Sequence, residues 1–214
     1  MIFNIFRVSA DLTHVLSIYF LLTKIISHRN CMGISLRSQV LFAIVWVTRY
    51  LDIFSNFFSV YNTIFKIIYL VTSFYTIYLI SKKYRPTYDK DHDTLNVWYL
   101  IVPSIILAFI FTKKYSIMEL CWTFSIILES VAVLPQIHLL SKTGEIENLN
   151  SKYIFCLGLY RGLYVLNWIY RYITETHYWS PLVWVFGTIQ TLLYVDYFYY
   201  YIKSKVQGTK FVLP

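Results

Sequence analysis

Glycine and proline are scarce in this 214-residue chain, with six and five copies. Little material is left for flexible linkers, and a single domain is expected. Charged residues supply only 14% of the chain against 57% hydrophobic ones, with a mean hydropathy of +0.53. That balance excludes an ordinary soluble domain. The three cysteines, Cys31, Cys121 and Cys156, have the spacing of neither a metal site nor a disulfide framework. There is no Asn-x-Ser/Thr sequon, phosphate-cradling glycine loop, metal-ligand cluster or nucleophile–base pair, which argues against an enzyme. The first apolar segment carries Asp11 and His14 and lacks a small-residue cleavage motif, so it is expected to be a retained helix rather than a signal peptide.

What the chain has in abundance is long apolar runs and aromatic rings, including 21 Tyr, 16 Phe and 6 Trp. Seven spans are predicted, at 5–27, 38–57, 61–81, 95–112, 117–140, 152–173 and 180–202. They make an all-α, multi-pass membrane protein, with residues 1–202 as the transmembrane domain and 203–214 as a short basic tail. The net charge of +8 comes mostly from short loops, where it sets topology rather than marking a nucleic-acid binder. Lys24, Arg29, Arg37, Lys82, Lys83, Arg85, Lys90, Lys142, Lys152, Lys203, Lys205 and Lys210 fall on one side; Arg7, Lys66, Lys113 and Lys114 fall on the other. By the positive-inside rule the N-terminus is luminal and the C-terminus cytosolic. A weak internal repeat is visible. Leu21-Leu22-Thr23-Lys24 followed by Ser38 to Phe42 parallels Leu139-Leu140-Ser141-Lys142 followed by Ser151 to Phe155. It implies two parallel three-helix repeats joined by the fourth span.

Charges lie within or at the edge of these spans: Arg7, Arg49, Arg161 and Arg171, with Asp52, Glu119, Glu129 and Asp196. A charge at membrane depth is costly unless it is paired or lines a wet cavity. From the helical rise, Arg49 is roughly 16 Å and Asp52 roughly 21 Å from the cytosolic start of span two, and Arg171 is roughly 29 Å from Lys152. Most of the set therefore belongs to the luminal half. Arg7, Asp11 and His14 share one helical face; Tyr160, Tyr164, Asn167 and Arg171 form a stripe in span six; Trp122, Glu129 and Gln136 recur every seven residues in span five. Two readings stand open: internal ion pairs that hold helices together, or a cavity for an anionic, peptide-like ligand, since arginine's fork of donors suits carboxylates. His14 is likewise either a structural histidine or a switch, with an unperturbed pKa of about 6.5.

Longer strings are more specific. Ser38 to Ala43 (SQVLFA), Thr48 to Asp52 (TRYLD), Tyr88-Asp89 with His92-Asp93-Thr94, and Trp122 to Ser125 (WTFS) resemble the KDEL receptor family. So do Leu128 to Gln136 (LESVAVLPQ), Ser141 to Glu145 (SKTGE), Tyr160-Arg161, Asn167-Trp168-Ile169 and Arg171-Tyr172. The resemblance covers essentially the whole chain. It implies a seven-helix fold similar to SWEET sugar transporters, with Pro135-Gln136 as the shared PQ-loop dipeptide. It implies a receptor that binds C-terminal KDEL- or HDEL-type tetrapeptides in the acidic Golgi. Coat protein complex I vesicles would return it to the endoplasmic reticulum, where cargo is released. By this resemblance Arg49 and Tyr50 would hold the terminal carboxylate, and Arg7 and Arg171 the ligand's acidic side chains. Asp52, Glu119 and Trp122 would surround its first residue, with Asn167 and Trp168 lining the wall. His14 would sense pH, with Glu129 and Tyr160 as a deeper lock. Asp196 and the tail residues Lys203, Lys205 and Lys210 would serve transport, although Thr209 stands where the family commonly carries another lysine. The alternative is a small-solute transporter of the SWEET/PQ-loop type, suggested by the repeat and Pro135-Gln136. No cofactor is expected.

Overall fold

The computed structural model describes residues 4–54, 59–143, 148–176 and 178–207. They fold as α1 (Ile5–His28), α2 (Leu36–Arg49), α3 (Val60–Tyr78), α4 (Trp98–Phe111), α5 (Ile117–Val131), α6 (Leu134–Thr143), α7 (Asn148–Thr174), α8 (Pro181–Leu192) and α9 (Val195–Gln207). One π-helical turn, Leu79–Lys83, extends α3, and 3-10 turns occupy Leu51–Phe54 and Arg85–Thr87. There is no strand among the described residues. Polar side chains start the helices: Asn4, Ser35, Ser59 and Ser116 accept from the backbone N–H of Arg7, Ser38, Asn62 and Glu119. Such caps contribute about 1 kcal/mol each. Helix α1 ends at Arg29 in the left-handed conformation (φ 50°).

The predicted spans are all present as helices, with two interruptions. Span five divides into α5 and α6 around Ala132 and Val133, because Pro135 has no N–H to continue the ladder. The groups freed there are satisfied from α2. The Ser38 hydroxyl donates to Ala132 O (2.7 Å) and accepts from Gln136 N (3.1 Å), while Gln136 Oε1 accepts from Ser35 N (2.9 Å). Span seven divides into α8 and α9 at Leu193 and Tyr194. Counting each interrupted pair as one rod gives the seven helices of a multi-pass membrane protein. Three of them, Ile5–His28, Val60–Lys83 and Ile117–Thr143, are long and apolar enough to cross a membrane. Helix α4 exposes Val102, Ile105, Ile106, Phe109 and Ile110, as a lipid-facing helix should. Helix α2 is shorter than expected. It stops at Arg49 and passes into the Leu51–Phe54 turn; residues 55–58 lie outside the described set.

Two compact units emerge, Met1–Gly33 with Leu140–Pro214, and Ile34–Leu139. In the first, α1 packs along α7, which also meets α8 and α9. In the second, α2 packs on α5 and α3, and α4 on α5. By span number the units are one, six and seven, and five, two and three with span four added. If spans one to three repeat as five to seven, these are the same three helices taken once from each copy. The packing thus agrees with the parallel repeat.

Candidate ligand-binding residues

In the first unit the expected face of α1 meets the expected stripe of α7. The Tyr164 hydroxyl donates to Asp11 Oδ1, and Arg7 Nε lies 3.9 Å from Asp11 Oδ2. Both Asp11 and His14 are buried. The His14 imidazole stacks on the Tyr160 ring, 4.3 Å between centroids and 8° from parallel. Asn4 Nδ2 donates to Asn167 Oδ1 over 2.7 Å, in a buried contact spanning almost the whole chain. Rings continue from Tyr160 through Tyr164 and Trp168 to Trp184, at spacings of 6.2 to 6.3 Å. At the far end Arg171 makes a two-pronged pair with Glu175, Nε to Oε1 at 2.8 Å and Nη2 to Oε2 at 2.7 Å. Its guanidinium lies 3.9 Å from the Tyr178 ring centre. The Arg171 hydrogen bonds hold the Glu175 carboxyl below the usual range, while burial pushes the Tyr178 phenol up. Arg161 is buried, lies over the Tyr160 ring and donates to Gln190.

In the second unit Arg49 ends α2. Its Nε donates to Ser125 Oγ (3.1 Å) and its Nη1 to Glu129, whose side chain is 2% exposed. Its Nη2 is buried with no hydrogen-bond partner. Tyr50 caps the helix and stacks on Trp46, 5.6 Å between centroids. Asp52, in the following turn, accepts from Lys66 Nζ at 2.7 Å. Glu119 is half-buried in the first turn of α5, and Trp122, one turn on, is 37% exposed. Two members of the seven-residue stripe of span five stay on one side across the break: Glu129 meets Arg49 at the end of α2, and Gln136 bonds Ser35 at its start, while Trp122 shares α5 with Glu129.

A family model described as "ER lumen protein retaining receptor" matches residues 30–171. An ER lumen protein-retaining receptor of Entamoeba histolytica is 78% identical over 214 residues, covering all of both chains. Receptors of the same name from Drosophila melanogaster and Caenorhabditis elegans are 50% and 51% identical, covering 99% and 97% of each chain. The chain belongs to the ER lumen protein-retaining receptor family. Members of this family are retention receptors and not enzymes.

Contacts thus link Arg7 through Asp11 to Tyr164, His14 to Tyr160, and Tyr160 through Tyr164 to Trp168 in one unit, and Arg49 to Glu129 and Asp52 through Lys66 to Tyr50 in the other; Arg171 pairs with Glu175, and Glu119 and Trp122 share α5 with Glu129. The expected transport residues are less well defined. Lys203 Nζ lies 5.8 Å from the Tyr199 ring centre, the side chains of Asp196 and Lys205 fall outside the described residues, and so does Lys210 entirely. Several supporting residues carried no signal that periodicity could detect. Lys66 and Glu175 sit on loop-proximal turns, where charge is unremarkable. Asn4 reads as a helix cap only. Gly187 packs so close to the Trp168 ring that an added Cβ would overlap it.

Proposed function

We propose that the chain is a pH-dependent receptor for C-terminal KDEL- or HDEL-type signals of luminal proteins, acting between cis-Golgi and endoplasmic reticulum. The observation that carries the reading is Arg49. It is fixed by Ser125 and Glu129, yet one buried donor, Nη2, has no acceptor. Buried donors are nearly always satisfied, and a terminal carboxylate supplies the missing oxygens. Arg7 and Arg171 take the acidic side chains of the signal. Asp52, Glu119 and Trp122 take its first residue, Asn167 and Trp168 line the wall, and Tyr50 flanks the terminus. His14, packed on Tyr160, senses pH, and Glu129 and Tyr160 change partners on binding. A proton added to His14 brings positive charge towards an anionic ligand. By linkage, proton and peptide strengthen each other's binding, so affinity falls as pH rises through the histidine range. The distribution of lysine and arginine supports a luminal N-terminus. Asp196 and the lysines at 203, 205 and 210 serve the return journey with coat protein complex I.

The test is binding of a labelled peptide ending in KDEL or HDEL to the purified protein at about pH 5.5 and about pH 7.4, which bracket the histidine reference value. Tight binding at the lower pH and weak binding at the higher one is expected. Absence of binding at both, in folded protein, overturns the reading. The helix breaks near Pro135 and Tyr194 favour one second reading, a small-solute transporter, since interrupted helices line transporter sites. Solute flux in proteoliposomes without peptide binding would establish it.

A further inference from the structure

We propose that Lys66 is a specificity-determining residue: by neutralising Asp52 it sets how strongly the receptor prefers a cationic first residue in the tetrapeptide signal. The inference rests on the assignment of Asp52 to that residue's subsite.

Lys66 stands in the second turn of α3, and its ammonium reaches back to the turn that follows α2. Nζ lies 2.7 Å from Asp52 Oδ2 and 5.7 Å from the centre of the Tyr50 ring. The pair is not a solvated surface bridge, since the two side chains are 14% and 24% exposed. A lysine in this place is a built-in occupant. Its ammonium has the same charge and hydrogen-bonding capacity as the lysine of a KDEL signal, and it already holds the carboxylate that such a lysine would seek. A first-position cation therefore meets Asp52 with its charge cancelled. On the same assignment Glu119, half-buried at the start of α5, supplies the other negative charge, and Trp122 supplies an aromatic face.

Charge arithmetic gives the consequence. Two carboxylates alone would make the subsite doubly negative and reward any cation. With Lys66 the subsite carries a single net negative charge, and the preference for lysine over an uncharged residue is muted. At an effective dielectric near 20, removing a unit charge about 10 Å away is worth on the order of tenfold in the affinity for a cation, and that is the scale expected here. An uncharged first residue feels none of that change.

The experiment measures affinities of peptides ending in KDEL and ADEL at one acidic pH, for the wild-type protein and for Lys66→Met, Lys66→Gln and Lys66→Arg. The ratio of the two affinities is the readout, because a merely structural role for Lys66 would alter both peptides together. Lys66→Met and Lys66→Gln should raise the KDEL-to-ADEL ratio about tenfold, and Lys66→Arg should leave it near wild type. An unchanged ratio in both neutral variants overturns the proposal, and so does an equal loss for both peptides. If Met at 66 does not fold, the Gln variant decides. Asp52→Asn separates the two levels. A fall in its KDEL-to-ADEL ratio beside flat Lys66 variants removes only the role of Lys66, whereas no change in that ratio removes Asp52 from the subsite.

Discussion

Breaking the pair of Arg49 and Glu129 should cost far more than replacing both partners. Glu129 is 2% exposed in its side chain and Arg49 18%, so the pair lies inside the second unit. Removing one partner of a buried pair leaves a charge without compensation and costs about 3–5 kcal/mol. Here the lower end applies to Glu129→Ala, because Ser125 still accepts from Arg49 Nε and part of the guanidinium is wet. About 3 kcal/mol corresponds to a melting shift of about 6–12 °C for a chain of this size. Arg49→Met with Glu129→Met removes both charges and keeps the volume filled, so it should melt within about 4 °C of wild type. The assay is thermal unfolding of the purified protein in detergent, followed by circular dichroism. Peptide binding by the double variant is then measured at about pH 5.5. It should be absent although the protein is folded, which separates the fold from the site more cleanly than Arg49→Ala can. A Glu129→Ala variant that melts within about 2 °C of wild type, or a double variant as unstable as the single, would refute the reasoning.

Three further outcomes follow from other parts of the molecule. Gly187→Ala drives a methyl into the Trp168 ring and should weaken peptide binding several-fold, with a shift in tryptophan emission; unchanged affinity would show that Trp168 does not line the site. Tyr88→Phe removes the hydroxyl that donates to buried Asp93 (2.6 Å), a carboxylate that also holds the Ser35 hydroxyl and Arg37 N–H at the start of α2. It should cost about 1.5–3 kcal/mol in melting experiments at neutral pH. Burial and Asp93 push the Tyr88 phenol upward, so this stabilisation is fully present below about pH 10 and is lost as pH rises beyond it; the two proteins should converge in stability there. Glu175→Gln should change stability and peptide affinity equally at about pH 5.5 and 7.4. The Glu175 carboxyl is depressed by Arg171, so its contribution holds above the ordinary carboxylate value of about 4.3 and fades only below that; an effect confined to one of the two pH values would contradict the pairing.

Helical faces were the legible part of the site. Arg7, Asp11 and His14 at spacings of four and three, and Tyr160, Tyr164, Asn167 and Arg171 along α7, meet because an uninterrupted helix preserves its phase. The spacing of Glu129 and Gln136 likewise predicts one face, and on either side of the break at Pro135 both reach α2, at Arg49 and at Ser35. Pairing partners were less legible. Glu129 lies in the middle of an apolar run, and nothing in its spacing from Arg49, 80 residues away, announces that the two meet.

Those partners change how the arginines act. Paired charges remove the penalty for burying each group, but they also mean that a ligand exchanges one counter-charge for another rather than filling an empty positive hole. On the proposed assignment Arg171 would exchange Glu175, which it holds at hydrogen-bonded distances. Arg49 differs, because its unpartnered Nη2 would let it donate to a carboxylate before giving up Glu129. On the same assignment a signal that reaches Arg49 would add a bond there, whereas at Arg171 it would trade like for like. Affinity in this receptor should therefore depend most steeply on the free C-terminus of the peptide. An amidated KDEL peptide should lose binding more completely than one with either acidic side chain neutralised; equal losses would show that Arg49 is no better prepared than Arg7 or Arg171.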